Sequence, residues 1–268
     1  MSAGERIEHR GVTGLRCGRF PDRVNGAVFV FRHGATLIDS GSTNQWPAVR
    51  SFAAEKPVEL VVATHHHEDH AGNLERLRAE LDVPVLAPPE SLTLLASGFP
   101  VPYYRRLVWG PPPPPVLAQP LPQKLELPGG GVLDPILLPG HSADMTCLLD
   151  RQLGVLFGAD LYVATRLRYL RYDEDLPLLV ASLRRALELD FDTLLCSHRG
   201  VLENGKELLR RKIDYLESLA ERAAELAAQG LSVRRITRRL AGREDPVWYV
   251  SRGQYSKIHL IRGCLRLA

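Results

Sequence analysis

The chain has 268 residues, of which 45% are hydrophobic and 24% charged, the balance of one large globular domain or one domain with an appendage. No apolar run reaches the roughly 18 residues of a membrane span, so no membrane partner is expected. The formal net charge of +3 is mild and does not by itself argue for nucleic acid.

Met1 to Arg6 lacks an apolar signal region. Cys17, Cys147, Cys196 and Cys264 are widely spaced and form no CxxC pair, so they read as reduced, mostly buried thiols. Both features predict a cytoplasmic protein.

Up to about Ser40 the pattern is that of antiparallel strands. Ala27–Phe31 and Ala35–Ile38 flank Arg32-His33-Gly34, a hairpin turn in which glycine supplies the unusual backbone angles. The second strand ends at Asp39 beside Ser40 and Gly41. Asp39 reads equally as a turn former and as a carboxylate that orients metal-binding histidines from behind. Gln45–Ala54 fits an amphipathic helix stopped before Pro57.

Val58–Ala63 reads as a short buried strand, and Leu74, Leu77 and Leu81 recur at helical spacing. Between them lies Thr64-His65-His66-His67-Glu68-Asp69-His70-Ala71-Gly72-Asn73, a strand-to-helix turn holding four of the nine histidines and two carboxylates. Imidazole and carboxylate together suit zinc and other first-row divalent metals. An expression tag would be terminal and free of interleaved carboxylates. A strand over Val83–Ala87 and a short helix over Glu90–Ala96 continue an α/β alternation.

Ser97–Pro122 breaks the pattern with Tyr103-Tyr104-Arg105-Arg106, Trp109 and the run Pro111–Pro115, which excludes interior helix and central strand. It reads as an ordered loop or polyproline segment, either a wall of a substrate site or a surface excursion. Strand signals return at Lys124–Leu127, Ile136–Leu138, Thr146–Leu149 and Val155–Phe157, a second and mostly antiparallel set. A helix is expected over Asp173–Leu189 and a strand over Asp192–Ser197. The last portion is helical: Lys206–Ala228 stopped by Gly230, a short helix from a Ser232 cap to Leu240, and Ser256–Leu267.

Three further residues sit at exits of apolar strands: His141 after Pro139-Gly140, Asp160 after Gly158-Ala159, and His198 after Cys196-Ser197. Residues at strand tips converge on one edge of a sheet. Taken alone each is an ordinary turn residue; the combination and its order carry the signal.

With these residues the chain resembles the metallo-β-lactamase fold superfamily of binuclear metal hydrolases. The family's H-x-H-x-D-H signature is matched by His65, His67, Asp69 and His70, and its later positions by His141, Asp160 and His198. The resemblance covers about residues 24–200. It implies an α/β fold, a four-layer αββα sandwich, over a catalytic domain of residues 1–203, followed by a C-terminal helical appendage, 204–268. It further implies two divalent metal ions, Zn2+ first, with Fe or Mn as alternatives. His65, His67 and His141 would hold one ion, Asp69, His70 and His198 the other, and Asp160 would bridge them. His66 and Glu68 would not be ligands.

The implied activity is a metal-dependent hydrolase in which a metal-bridging hydroxide, oriented by Asp69, attacks a small acyl substrate, a thioester or lactone. Substrate choice then falls to surrounding loops, with Tyr162, Arg166 and Arg168 as candidate substrate-binding residues. The single core with a helical tail is similar to the glyoxalase II-like branch, and also to members with a winged-helix-like tail, although His141 is followed by Ser142-Ala143-Asp144 where that branch usually has Thr-x-Gly. Two other readings stay open. Arginine-rich Gly230–Leu240 looks like part of a helix-turn-helix and suits a nuclease of the same fold. A mononuclear iron dioxygenase uses a similar histidine set. A homodimer is an open option for assembly.

Overall fold

The computed structural model describes residues 4–268. In chain order the strands are β1 (Glu5–His9), β2 (Val12–Cys17), β3 (Val28–His33), β4 (Thr36–Ile38), β5 (Leu60–Val62), β6 (Val85–Ala87), β7 (Gln119–Pro120), β8 (Leu125–Glu126), β9 (Val132–Leu137), β10 (Thr146–Asp150), β11 (Val155–Ala159), β12 (Leu170–Arg171), β13 (Thr193–Cys196), β14 (Gly200–Leu202) and β15 (Tyr255–Ser256). The α-helices are α1 (Trp46–Ala54), α2 (Leu74–Leu81), α3 (Leu92–Ser97), α4 (Tyr103–Trp109), α5 (Leu176–Leu187), α6 (Gly205–Ala228), α7 (Val233–Leu240), α8 (Pro246–Val250) and α9 (Lys257–Leu267).

The chain divides into two compact units. The first comprises Met1–Leu137, Asp144–Val163 and Asp190–Asn204; the second comprises Leu138–Ala143, Ala164–Leu189 and Gly205–Ala268.

In the first unit β1 to β7 form one sheet in sequence order, antiparallel through β4 and parallel from β4 to β7. A second sheet runs β14-β13-β11-β10-β9-β8, antiparallel except for the parallel pair β11–β13. Side chains explain the layering. Successive residues of β3 point to opposite faces. Phe29 and Phe31 join Leu148, Phe157 and Leu195 in a core between the two sheets. Val30 joins Leu37 and Val61 in a second core against Phe52 of α1 and Leu74 and Leu77 of α2. A sheet buried on both faces reads as continuous apolar runs, as here.

One expected loop is partly helical. Tyr103–Trp109 forms α4, started by extended Pro102 and ended by Gly110 at φ +93°. Prolines on both sides of this short segment mask its helical character in the sequence. Gln119-Pro120 adds an edge strand beside β6, a position where proline is tolerated. Pro111–Pro115 itself carries no helix or strand.

In the second unit α9 packs on α5, α6 and α7. Gly263 lets α9 approach Leu176, where a Cβ would come within 2.8 Å of the Leu176 Cβ. The helix expected from Asp173 starts later, at Leu176, because the Asp175 side chain caps it by accepting from the Leu178 N–H at 3.0 Å. Ser232 stands at the N-cap position of α7 in extended conformation, but its side chain makes no capping hydrogen bond. Ser256 does cap α9, accepting from the Ile258 N–H at 3.0 Å.

Candidate metal centre

Parallel pairing of β4 and β5 sets their C-terminal ends side by side, with Ile38 opposite Val62. Asp39 therefore reaches the start of the histidine turn. It adopts φ +64°, a left-handed conformation that aspartate tolerates better than most residues. Its Oδ1 accepts from the Thr64 N–H at 2.8 Å and from Thr64 Oγ1 at 2.9 Å, while its Oδ2 lies 2.7 Å from His70 Nδ1. The turn is closed by backbone contacts. Ser40 N–H and Ser40 Oγ both donate to the His70 carbonyl, at 2.7 and 2.8 Å. Asn73 Nδ2 donates to the carbonyls of Ser40 and Ser42.

Asp160 and His198 arrive from the other sheet. They follow β11 and β13, which are parallel neighbours, so they emerge at adjacent ends. The β11 register is irregular between Phe157 and Ala159, and Ala159 is forced to φ +44°. A left-handed alanine stores strain of about 1–3 kcal/mol, a cost met by the neighbouring structure that aims Asp160 inward.

Within the first unit the structure brings together His65, His67, Asp69, His70, Asp160 and His198, each at most 6% exposed. Ligand atoms of His65, His70 and Asp160 lie within 4.8 Å of one another, as do those of Asp69, His70 and His198. His65 Nε2 lies 2.9 Å from His67 Nδ1. His70 Nε2 is 3.3 Å from Asp160 Oδ1, and His198 Nε2 is 3.3 Å from Asp160 Oδ2. The far nitrogens are anchored: His70 Nδ1 on Asp39, and His198 Nδ1 on the carbonyls of Val24 and Ala27 at 3.1 and 3.0 Å. An acceptor on Nδ1 places the proton there and leaves the Nε2 lone pair facing the cluster.

Electrostatics fit a cation. Burial alone would push both imidazoles down. The carboxylates of Asp39, Asp160 and Asp69 outweigh it and hold His70 well above its ordinary range, and those of Asp160 and Asp69 raise His198 above its ordinary value. His70 Nε2 is buried without a hydrogen-bond partner. Buried carboxylates facing nitrogen lone pairs call for positive charge, and imidazole nitrogen with carboxylate oxygen is a donor set for divalent metal. The residues present therefore fit the group.

His141 belongs to the second unit, where Gly140 precedes it at φ +133° and packs against the Leu179 backbone. Its Nδ1 lies 2.8 Å from Glu174 Oε1, and Glu174 Oε2 accepts from the Arg171 N–H at 2.7 Å. Burial would raise Glu174, but His141 and Arg171 outweigh it and hold the carboxyl below its usual range. Glu174 was invisible in the sequence because it reads as the first turn of α5, whereas the Asp175 cap leaves it outside the helix.

Other neighbours also escaped the sequence. Asp144 Oδ2 accepts from the His66 N–H at 2.8 Å, lies 2.8 Å from His66 Nδ1, and accepts from Ser91 Oγ at 2.7 Å. Arg105 Nε stands 2.5 Å from Glu68 Oε1. The Trp109 ring lies 6.4 Å from the His198 ring. The candidate substrate residues separate. Tyr162 is buried in the first unit, its carbonyl accepting from Cys196 Sγ. Arg166 and Arg168 are exposed in the second, where Arg168 pairs with Asp245 at 3.0 Å.

Comparison with known proteins agrees with this fold. The family model described as Metallo-beta-lactamase superfamily matches residues 20–198. Among solved structures, a beta-lactamase domain protein from Burkholderia ambifaria superposes with a TM-score of 0.74 at 19% identity, over 99% of this chain and 89% of that one. A metallo-beta-lactamase family protein from Thermus thermophilus gives 0.67 at 19% identity, over 96% and 94%. A third, TTHA1623 in a di-iron-bound form, gives 0.53 at 26% identity, over 68% and 91%. No curated protein sequence matches the chain.

Proposed function

Because the chain belongs to the metallo-beta-lactamase superfamily, whose α/β sandwich it shares, we propose that it is a metal-dependent hydrolase of a small acyl substrate, a thioester or lactone. The observation that carries this reading is the buried cluster of Asp69, His70, Asp160 and His198, with His70 and His198 anchored through Nδ1.

In this reading His65, His67 and His141 would hold one divalent ion, Asp69, His70 and His198 would hold a second, and Asp160 would serve both. Zn2+ is the first candidate on donor chemistry, and iron is the alternative, since a relative at 26% identity has been solved in a di-iron-bound form. Such ions supply Lewis acidity, which polarises a substrate oxygen and lowers the pKa of water toward neutrality.

The rest falls to the chain's own groups. Asp69 accepts a hydrogen bond from the attacking water and orients it. Asp39 and Glu174 keep His70 and His141 in the tautomer with the proton on Nδ1. Trp109, 6% exposed beside His198, excludes bulk water from that side. Tyr162 and Arg166 are the candidates to meet substrate, and Arg168 would first have to leave Asp245. No described helix is long and apolar enough to cross a membrane. A phosphodiesterase reading draws support from α7, where Arg234, Arg235, Arg238 and Arg239 are all exposed.

The test is a panel of thioester, lactone, β-lactam and phosphodiester substrates at defined Zn2+ and Fe2+ loading. Metal-dependent turnover of a thioester or lactone supports the proposal. Turnover of the phosphodiester alone, or oxygen uptake with one iron per chain, replaces it.

A further inference from the structure

Glu68 sits at a position of the histidine motif that holds no metal, yet it is only 2% exposed. A buried carboxylate is costly without a partner, and Arg105 provides one, with Nε 2.5 Å from Glu68 Oε1. The same guanidinium also points toward Asp69. Its Nη2 stands 3.8 Å from Asp69 Oδ1, beyond hydrogen-bond reach. Asp69 Oδ2 faces the other way, 3.8 Å from His70 Nε2 and 3.8 Å from His198 Nε2. The two oxygens of Asp69 are thus divided between a cation held at a distance and a pair of imidazoles.

Arg105 is rigidly delivered. It rides on α4, whose C-terminal carbonyls are tied down: Asn44 Nδ2 donates to Val108 at 2.8 Å, Thr43 Oγ1 to Trp109 at 3.1 Å, and Arg19 Nη1 to Leu107 at 2.8 Å. Gly110 permits the docking, since a Cβ there would fall 2.6 Å from Thr43 Oγ1.

We propose that Glu68 and Arg105 are a positioning pair for Asp69. Left to itself, a guanidinium beside Asp69 would form the forked ion pair that arginine and carboxylate prefer. That pairing would take the oxygens a metal needs and add a repelling charge next to the ion. Glu68 prevents it by binding the guanidinium and balancing its charge. At 3.8 Å the guanidinium still attracts Oδ1, which turns Oδ2 toward His70 and His198. The inference rests on the metal-site reading above, and it explains why a non-ligand carboxylate is buried inside a ligand motif.

The test titrates the metal-stripped full chain with Zn2+ alone against a chromophoric chelator. Glu68→Gln is compared with Glu68→Ala, which removes the same charge without burying an amide, and near-ultraviolet circular dichroism confirms folding of each. Either variant is expected to weaken one zinc equivalent about 10- to 100-fold, as loss of an outer ligand partner does. Adding Arg105→Ala to the Glu68 variant is expected to recover most of that loss. Wild-type affinity in the folded Glu68 variants overturns the proposal. So does a double variant no better than the Glu68 variant, because a merely structural pair would show no recovery. Wild-type protein that takes up neither Zn2+ nor, in a parallel titration, Fe2+ sinks the metal-site reading, and this inference with it.

Discussion

Asp39 Oδ2 lies 2.7 Å from His70 Nδ1 while Asp39 Oδ1 accepts from the Thr64 N–H at 2.8 Å, so one carboxylate fixes both the ring and the turn that carries it. Asp39→Asn tests this because asparagine also tolerates the left-handed φ of +64°. An amide has one acceptor and one donor where aspartate has two acceptors. Either Thr64 loses its acceptor or His70 must move its proton to Nε2, the atom facing the cluster. Zinc affinity in a chelator competition is expected to fall about 10- to 100-fold with the fold retained. Unchanged affinity would remove Asp39 from the site.

Gly72 is needed for a different reason. A Cβ there would fall 2.6 Å from the Glu68 carbonyl oxygen and 2.7 Å from the Thr43 amide nitrogen, both backbone atoms that cannot move without opening the turn. Gly72→Ala is expected to destabilise the chain by about 1–3 kcal/mol, the range for overpacking. A urea midpoint equal to that of wild type would show the turn to be looser than the geometry implies.

The elements themselves are written locally. The hairpin of β3 and β4 shows in Phe29, Val30 and Phe31 before Gly34, and α2 shows in the spacing of Leu74, Leu77 and Leu81. Metal chemistry is equally legible, since imidazole and carboxylate types announce it wherever they cluster. What supports those groups is not local. Asp144 meets His66 across 78 residues, and in the sequence it shows only as a departure from the Thr-x-Gly that usually follows the histidine at position 141. Arg105 lies in a proline-flanked segment whose helix is too short to show a period. Glu174 is freed by a cap one residue later. Each depends on tertiary placement, which no window of neighbouring residues encodes.

The thiols give a pH-dependent test. All four cysteines are buried. Burial pushes Cys17 and Cys264 from the ordinary 9.0 up to about 12. The thiolate is the reactive form, so at pH 8 these groups in the folded chain should carry about a thousandfold less of it than free thiols. A disulfide reagent should therefore leave native protein untouched over minutes and titrate all four thiols in denaturant. The linked stability is fully present below pH 9, where both states stay protonated. It is lost as pH climbs from 9 toward 12, because the unfolded thiols ionise first. A urea midpoint that rises between pH 8 and 10 would contradict the assignment.

Arg32 offers a test outside the site. It is 3% exposed, and its guanidinium spans the end of α1: Nη2 donates to the carbonyls of Phe52 and Ala53 at 2.8 and 3.1 Å, and Nη1 to those of Lys56 and Pro57 at 3.2 Å each. The last carbonyls of a helix lack intrahelical partners, and a cation there also meets the negative end of the helix dipole. Lysine keeps the charge but presents a single compact ammonium that cannot reach four acceptors in one plane. Arg32→Lys is expected to cost about 1–3 kcal/mol, the range for buried acceptors left unsatisfied. Zinc uptake by the folded variant should be unchanged, because no atom of Arg32 takes part in the cluster. An unchanged urea midpoint would show charge alone to be enough, and the fork of the guanidinium to carry none of the stability.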